Sequence, residues 1–408
     1  MIYIIILLFL SCYFLCYKRK IKSLCILVSI FTTIFLYEIF GAFFFCLEPQ
    51  FHFNPWLFLF GVLYFFFWFF SFYWLSTWGW GGGVIHSILM TLLSVTKIVL
   101  PLHPLILLYP GYKDYLPTFS YQIINLFLIF LIVDLLFCKG NKYFNIVLLL
   151  SLLSVSILFK SASDGNDKNV RVAIIQIGLY YEKGGDTSSF FSDMQNFLER
   201  NPRVNAIVFS ENNLYSYKDK YNEELTEKLL ENIFSSKLND KYHLFLSFGA
   251  YKDINNIVTY YHYKNKFGFN QKKVLIPFVE KRGFINKKES IDSKYYFYDD
   301  NIKNNNIDLF DYSVSTNICY DALFPELFST STDLVFIQSN YKLLDRGYGH
   351  DKLKIYATYL AKFLNGVSGS IIINVQNHGG TVILSNDWTI DYKAFVTSKT
   401  EPFMIIDI

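Results

Sequence analysis

Two hydrophobic patterns divide the chain. Up to about residue 160 the apolar residues run almost unbroken, in stretches long enough for helices that are hydrophobic all round. Beyond that point they come in short runs separated by polar segments, the pattern of buried strands alternating with amphipathic helices. The first part offers six candidate spans: Ile2–Tyr17, Leu24–Cys46, Trp56–Trp78, Val84–Tyr109, Tyr121–Cys138 and Tyr143–Phe159. A helix needs about 20 apolar residues to cross a bilayer. The first and last runs are short of that, which leaves the count at six, plus or minus one. Pro101 and Pro104 predict a kink in the fourth span. Basic residues follow the first run instead of preceding it, and no small-residue cleavage site is evident. It therefore does not read as a removable secretory signal.

The segment Ser161–Lys168 is short and polar and reads as a linker. After it, strands are predicted over Val170–Ile177, Ala206–Phe209, Tyr242–Phe248, Ile257–Tyr263, Tyr312–Cys319, Leu334–Gln338, Ile371–Val375, Thr381–Leu384 and Phe403–Ile406. Helices are predicted over Ser188–Arg200, Glu224–Phe234 and Lys352–Leu364. Many strands with interspersed helices predict a layered α/β domain, and no fixed-period repeat is visible.

Charge follows the same division. Residues 1–160 carry 13 of the 71 charged side chains, and 161–408 carry the other 58. A charge at the centre of a bilayer costs ~3 kcal/mol or more, so this asymmetry predicts a polytopic membrane domain (1–160) followed by a water-exposed domain (161–408). Lys18, Arg19, Lys20 and Lys22 cluster between the first two spans, and Lys139 and Lys142 between the last two. Positive loops stay cytoplasmic, which puts the C-terminal domain outside the cytoplasm. Five of the six tryptophans fall in Trp56–Trp80, next to a run of glycines ending at Gly83. They read either as an aromatic belt at the membrane interface or as a wall of a lipid-accessible cleft. The net charge of +3 gives no sign of a nucleic-acid binder.

Cys319 is the one cysteine of the second half, so that half has no internal disulfide framework. Three polar groups there stand directly beside apolar runs: Glu211 after Ala206–Phe209, Lys272 before Val274–Ile276, and Cys319 after Tyr312–Ile318. Taken singly, Glu211 is a solvated glutamate at a loop, Lys272 part of an exposed basic hairpin, and Cys319 a small buried hydrophobe. Taken together they form a chemical set. A cysteine nucleophile needs a base for its proton and a cation or N–H donors for the oxyanion of the tetrahedral intermediate. His243 and His262 both lie inside predicted strands, which disfavours a Cys–His pair. No His/Cys spacing suits a metal.

Glu, Lys and Cys in this order, each beside a strand, resemble the nitrilase (carbon–nitrogen hydrolase) superfamily. The polytopic half narrows the likeness to its apolipoprotein N-acyltransferase branch. Val170–Gly178 resembles the family's opening strand, and Ser210-Glu-Asn-Asn213 its glutamate segment. Lys272 through Pro277-Phe278 to Glu280 keeps the spacing of its lysine segment. Ile318-Cys-Tyr-Asp-Ala-Leu-Phe-Pro-Glu326 follows its cysteine segment, and Ser339-Asn340 and Gln376-Asn-His-Gly379 resemble two later loops.

The resemblance implies an αββα sandwich with Cys319 as nucleophile, Glu211 as general base and Lys272 as oxyanion-stabilising cation. Glu280, Asp321, Asn340 and Asn377 fall at supporting positions. It further implies a multi-pass protein of the bacterial cytoplasmic (inner) membrane, catalytic on the extracytoplasmic side, without metal or other cofactor. Its acyl donor would be a phospholipid and its acceptor the N-terminal amine of a lipoprotein. The chain departs from the family in several places. Asp321 replaces a glutamate, Tyr341-Lys-Leu-Leu344 replaces Asp-Ala-Trp-Phe after Ser339-Asn340, and the helix after His350 lacks Arg-Ala-Xaa-Glu. The sequence given also carries no final membrane helix. These departures leave open a related acyltransferase of the pilus-maturation type, an amidase, or a non-enzymatic scaffold. The segment Gly283–Asp300 reads either as a lid dipping into the membrane interface or as a surface loop.

Overall fold

The computed structural model describes residues 22–40, 55–97, 122–158, 170–211, 223–251, 255–276, 307–310, 312–324, 332–341, 350–365 and 370–408. Residues 10, 11, 14, 106, 280 and 281 are described besides. Most of the first expected span, the Pro101/Pro104 kink, the linker 161–168 and the segment 283–300 lie outside the described residues. The chain divides into two units. One comprises Met1–Ser163 with Leu323–Ser331 and Leu344–Ser368; the other comprises Asp164–Ala322, Thr332–Leu343 and Gly369–Ile408.

The first unit is helical. Its helices are α1 (Lys22–Phe40), α2 (Pro55–Leu75), α3 (Trp80–Val95), α4 (Gln122–Phe137) and α5 (Lys142–Leu158). Successive helices pack as neighbours: α1 on α2, α2 on α3, and α4 on both α3 and α5. Among the described residues one helical stretch, Phe58–Trp78, is long and apolar enough to cross a membrane. The apolar stretches Cys25–Ile34, Trp80–Val95 and Ile123–Phe137 are shorter.

The glycine run makes the tight turn into α3. A Cβ on Gly82 would stand 1.7 Å from the Leu75 carbonyl oxygen, so only glycine lets the two backbones approach there. Trp74, Trp78 and Trp80 are exposed around that turn.

A buried polar node ties three helices of this unit. His86 on α3 has Nδ1 2.8 Å from Asp134 Oδ2 on α4, and its Nε2 lies 3.2 Å from the Trp68 carbonyl on α2. Ser87 Oγ donates to the same Asp134 oxygen at 2.7 Å. All three side chains have no exposed surface. Polar groups buried among apolar helices hold by pairing with each other, since the surroundings offer nothing else.

The second unit is a two-sheet sandwich. Its strands are β1 (Arg171–Ile175), β2 (Ala206–Phe209), β3 (His243–Tyr251), β4 (Asn255–Tyr263), β5 (Lys266–Gln271), β6 (Ile307–Leu309), β7 (Tyr312–Ile318), β8 (Leu334–Ser339), β9 (Ile371–Gln376), β10 (Val382–Leu384) and β11 (Phe403–Asp407). One sheet runs β11-β1-β2-β3-β4-β5 and the other β10-β9-β8-β7-β6. Two central sets, β1-β2-β3 and β7-β8-β9, are parallel.

Alternation along each strand assigns its faces. Val172, Ile174, Ala206, Val208 and Phe245 face Val314, Leu334, Phe336, Ile373 and Val375 across the sandwich. Ala173, Ile175, Ile207, Phe209 and Leu244 face outward onto helices. The helices following β1 and β2 are α6 (Ile177–Glu182), α7 (Thr187–Glu199), α8 (Glu223–Ser235) and α9 (Leu238–Lys241). Their cover residues include Phe190, Met194 and Ile233. Burial on both faces is why the strands read as unbroken apolar runs.

The expected αββα order is met in three layers within this unit. The helix expected at Lys352–Leu364 forms as α10 (His350–Asn365), but it packs on α4 and α1 and belongs to the helical unit. A last short helix, α11 (Tyr392–Thr397), precedes β11 and is capped by Asp391, whose Oδ1 accepts the Ala394 N–H.

The polar node carries a stability prediction. Asp134→Ala leaves His86 and Ser87 without their shared acceptor and is expected to cost about 3 kcal/mol. Leu136→Ala, on an exposed face of the same helix, is expected to stay within about 0.5 kcal/mol of wild type. Unfolding midpoints of the two purified variants check the pair.

Candidate functional site

Strand ends assemble the polar residues of the sandwich. Ser210 and Glu211 follow β2, Lys272 follows β5, Cys319 follows β7, Asn340 follows β8 and Asn377 follows β9. Because β1, β2, β7, β8 and β9 run parallel to their neighbours, their C-terminal ends gather at sheet edges, where α/β folds place their ligands.

Lys272 is the hub. Its ammonium donates to Glu211 Oε1 at 2.8 Å and to Glu280 Oε1 at 2.6 Å. The Lys272 side chain has no exposed surface, and the two glutamates are 5% and 12% exposed. Lys273, by contrast, is half-buried, so the reading of this segment as an exposed hairpin fails at Lys272 itself. The reason is β5, an unanticipated strand that pairs with β4 and carries Lys272 into the interior; the Lys272 N–H donates to the Ile257 carbonyl at 2.8 Å. Glu280 is held in turn by the Ile276 N–H, which donates to its Oε2 at 2.8 Å.

Cys319 sits at the first position of a 3-10 turn, Cys319–Leu323, directly after β7. Its φ is +49°, in the left-handed region that a side chain adopts at a cost of about 1–3 kcal/mol. Such a bend lifts a residue out of the strand it follows and presents its side chain. The Cys319 thiol is hydrogen-bonded to the Glu211 carboxylate, and the Asn340 N–H points at its sulfur. The same N–H lies 3.1 Å from Glu211 Oε2.

These contacts set the protonation states. Burial raises the Glu211 carboxyl and the Glu280 charge adds to it, with Lys272 opposing; the net shift is upward. Burial pulls the Lys272 ammonium down, but Glu211 and Glu280 outweigh it and hold it well above the ordinary lysine value. Burial and then the Glu211 charge push the Cys319 thiol well up, against Lys272 and the Asn340 N–H. The thiol is thereby held in its neutral form and the ammonium in its charged form, while the Glu211 carboxyl between them is shifted upward.

The remaining predicted residues brace the site. Asp321 Oδ1 accepts the Val274 N–H at 3.0 Å, tying the cysteine turn to the segment that follows Lys272. Asn377 Oδ1 accepts from Ser210 Oγ at 2.9 Å and from the Gly178 N–H at 2.8 Å, which fixes the residue before Glu211. A Cβ on Gly178 would stand 2.5 Å from the His378 ring, so glycine is required for that approach. His243 is not part of this group. It stacks on Tyr263 at 3.7 Å, its Nδ1 is 2.9 Å from the Tyr261 hydroxyl, and burial lowers it to about 4.

The sequence reading missed Gln338. Its Nε2 donates to the Phe209 carbonyl at 2.7 Å and its Oε1 accepts from Thr259 at 2.6 Å, so it clamps the two sheets just below Glu211. A polar residue near the end of an apolar run was the available signal, the same one that marked Glu211.

No protein-family model and no curated protein sequence matches the chain. Among solved structures it is similar to Saccharomyces cerevisiae Nit3, described as a member of branch 10 of the nitrilase superfamily. That likeness has 13% identity, covers 60% of this chain and 92% of the other, and has a TM-score of 0.39. A carbon–nitrogen hydrolase from Helicobacter pylori is similar at 14% identity over 59% of this chain and 89% of that one, TM-score 0.39. A glutamine-dependent NAD+ synthetase from Acinetobacter baumannii is similar at 16% identity, over 59% of this chain and 46% of that longer one, TM-score 0.38.

Proposed function

We propose that the protein is a membrane-bound acyltransferase of the nitrilase superfamily that works through a thioester on Cys319. The observation that carries this reading is the contact set of Lys272 Nζ, 2.8 Å from Glu211 and 2.6 Å from Glu280, with the Cys319 thiol hydrogen-bonded to Glu211. Glu211 is the general base. It takes the Sγ proton as sulfur attacks an ester carbonyl, and the Lys272 ammonium holds the oxyanion that forms. Collapse breaks the ester C–O bond, Glu211 returns the proton to the leaving alkoxide, and an acyl-thioester remains. An amine then attacks the thioester carbonyl, Glu211 takes a proton from its nitrogen, and the C–S bond breaks to give an amide and free Cys319.

The apolar first half supports a membrane location and a phospholipid as acyl donor. The charge distribution of its loops supports a site on the extracytoplasmic side of a bacterial cytoplasmic membrane, with several spans. The acceptor follows from the sequence resemblance: the N-terminal amine of a lipoprotein. An amide as acyl donor with water as acceptor, which would make the protein an amidase, is the reading to which a missing lipid adduct would point.

Two outcomes are expected. Protein purified from its membrane carries a long-chain acyl mass on the Cys319 peptide, absent from Cys319→Ala. Glu211→Gln forms it at least ~10²-fold more slowly on addition of phospholipid. No adduct after phospholipid is added removes the lipid donor.

Acylation also depends on pH with a defined sign. Glu211 acts only when ionised, and its carboxyl lies above the ordinary glutamate value. The rate is expected to rise with pH through a limb above that value. Glu280→Gln removes a negative neighbour, lowers the Glu211 pKa and moves the limb to lower pH. A limb that stays in place in Glu280→Gln counts against Glu211 as the titrating base.

A further inference from the structure

Two buried hydroxyls near the cysteine have no well-formed hydrogen bond to any group beyond each other. Ser339 and Tyr341 stand two residues apart at the end of β8, so the extended chain points both the same way. They are 0% and 3% exposed. Neither Ser339 Oγ nor the Tyr341 hydroxyl makes a well-formed hydrogen bond among the described residues, and the hydroxyl that approaches the phenol oxygen is that of Ser339 itself. Elsewhere in this unit three other buried tyrosines have polar partners. The Tyr180 hydroxyl donates to Asp193 at 2.6 Å, Tyr261 meets His243 at 2.9 Å, and Tyr260 meets His262 at 3.0 Å. Native structures seldom leave a buried hydroxyl unpaired, because phenylalanine would pack there at no such cost.

The place of the phenol gives it a use. Asn340, between the two hydroxyls, directs its N–H at Glu211 and the Cys319 sulfur. Cys319, Glu211 and Lys272 all act electrostatically on the Tyr341 phenol, Cys319 most strongly among them. Burial also keeps the phenol protonated, and therefore a donor. A donor is what the site lacks. Lys272 has three N–H bonds, and Glu211 and Glu280 occupy two of them. One remains for the oxygen of an acyl group on Cys319, whereas oxyanion sites are built from several donors aimed at one point.

We propose that Tyr341 is a further catalytic residue, whose hydroxyl donates a hydrogen bond to the carbonyl oxygen of an acyl group attacked by Cys319. It shares with Lys272 the negative charge that this oxygen acquires. Ser339 Oγ sits beside the phenol and orients it. The substrate class is any acyl ester or thioester that reaches Cys319. The inference rests on Cys319 as the nucleophile of the proposed function, and not on the identity of donor or acceptor.

The test is the burst of nitrophenol released when full-length protein meets p-nitrophenyl butyrate, with Cys319→Ala subtracted as background. Tyr341→Phe keeps the ring and removes the hydroxyl. It is expected to slow the burst about 10²-fold with an unchanged or higher thermal midpoint. Ser339→Ala, which leaves the phenol in place, is expected to slow it less than about tenfold. A Tyr341→Phe burst within threefold of wild type overturns the proposal. So does a larger loss in Ser339→Ala than in Tyr341→Phe, which would assign the contact to the serine. A wild-type burst no greater than that of Cys319→Ala removes the nucleophile, and both readings fall together. A normal burst with no phospholipid adduct removes only the lipid donor.

Discussion

The Lys272 ammonium has no exposed surface and lies between two carboxylates, and much of the site follows from the cost of placing a charge there. Desolvation of a lone ammonium would drive off its proton. Two nearby carboxylates reverse that, and the cation in return keeps Glu211 usable as a base. The balance is not neutral: two negative groups face one positive group. Burial first, and then the Glu211 charge, keep the Cys319 sulfur protonated at rest. A thiol held in reserve this way resists oxidation and stray electrophiles better than a standing thiolate, because the thiolate is the reactive form.

Rigidity comes from sharing the parts among strands of both sheets. Glu211 and Lys272 come from one sheet, Cys319 and Asn340 from the other. Polar clamps cross between them: Gln338 to Phe209 and Thr259, Asn270 to Thr316 at 2.7 Å, and Asn377 to Ser210. Each clamp lies within a few residues of a reacting group. The sandwich core of Val208, Phe245, Phe336 and Ile373 fixes the spacing between the sheets. Catalytic groups tolerate little displacement, and a packed two-sheet core is hard to compress. The left-handed backbone at Cys319 is sustained by the same surroundings, since strain persists only where neighbours over-determine it.

Much of this was legible in the residues. Ala206–Phe209 is read from the sequence with the bounds it has in the fold, because four apolar residues between polar segments leave no alternative. β8 and β9 are recognised to within a residue for the same reason, and β7 by the alternation of its polar and apolar residues. β5 is not: Lys-Phe-Gly-Phe-Asn-Gln alternates weakly, and its residues from Lys266 to Phe269 keep some exposure, with burial confined to Asn270 and Gln271. That strand decides where Lys272 goes. Its pairing with β4 depends on residues that local pattern does not connect. The grouping of α10 with the apolar helices was equally hidden, since an amphipathic helix records that it has a buried face but not what buries it. Tyr341 showed in the sequence only as a departure from a family pattern. Its significance needed the fold, which sets a hydroxyl without a well-formed hydrogen bond near a cysteine 22 positions earlier in the chain.

The pairing of β1 bears on how the protein reaches this state. On one side β1 meets β2, two helices further along the chain. On the other it meets β11, and the ion pair between Arg171 and Asp407 joins residues 236 positions apart. Val170 and Ile408 exchange backbone hydrogen bonds at 3.1 and 2.9 Å, and Gln176 donates to the carbonyls of Ser398 and Glu401. During synthesis the first strand of the sandwich therefore emerges with one edge that has no partner until the chain has been made as far as β11. Contacts of such separation fold slowly, and an open strand edge in the interval invites pairing with the wrong chain. Maturation of the sandwich should thus be timed by the arrival of β11, and removing that strand would expose the flank of β1.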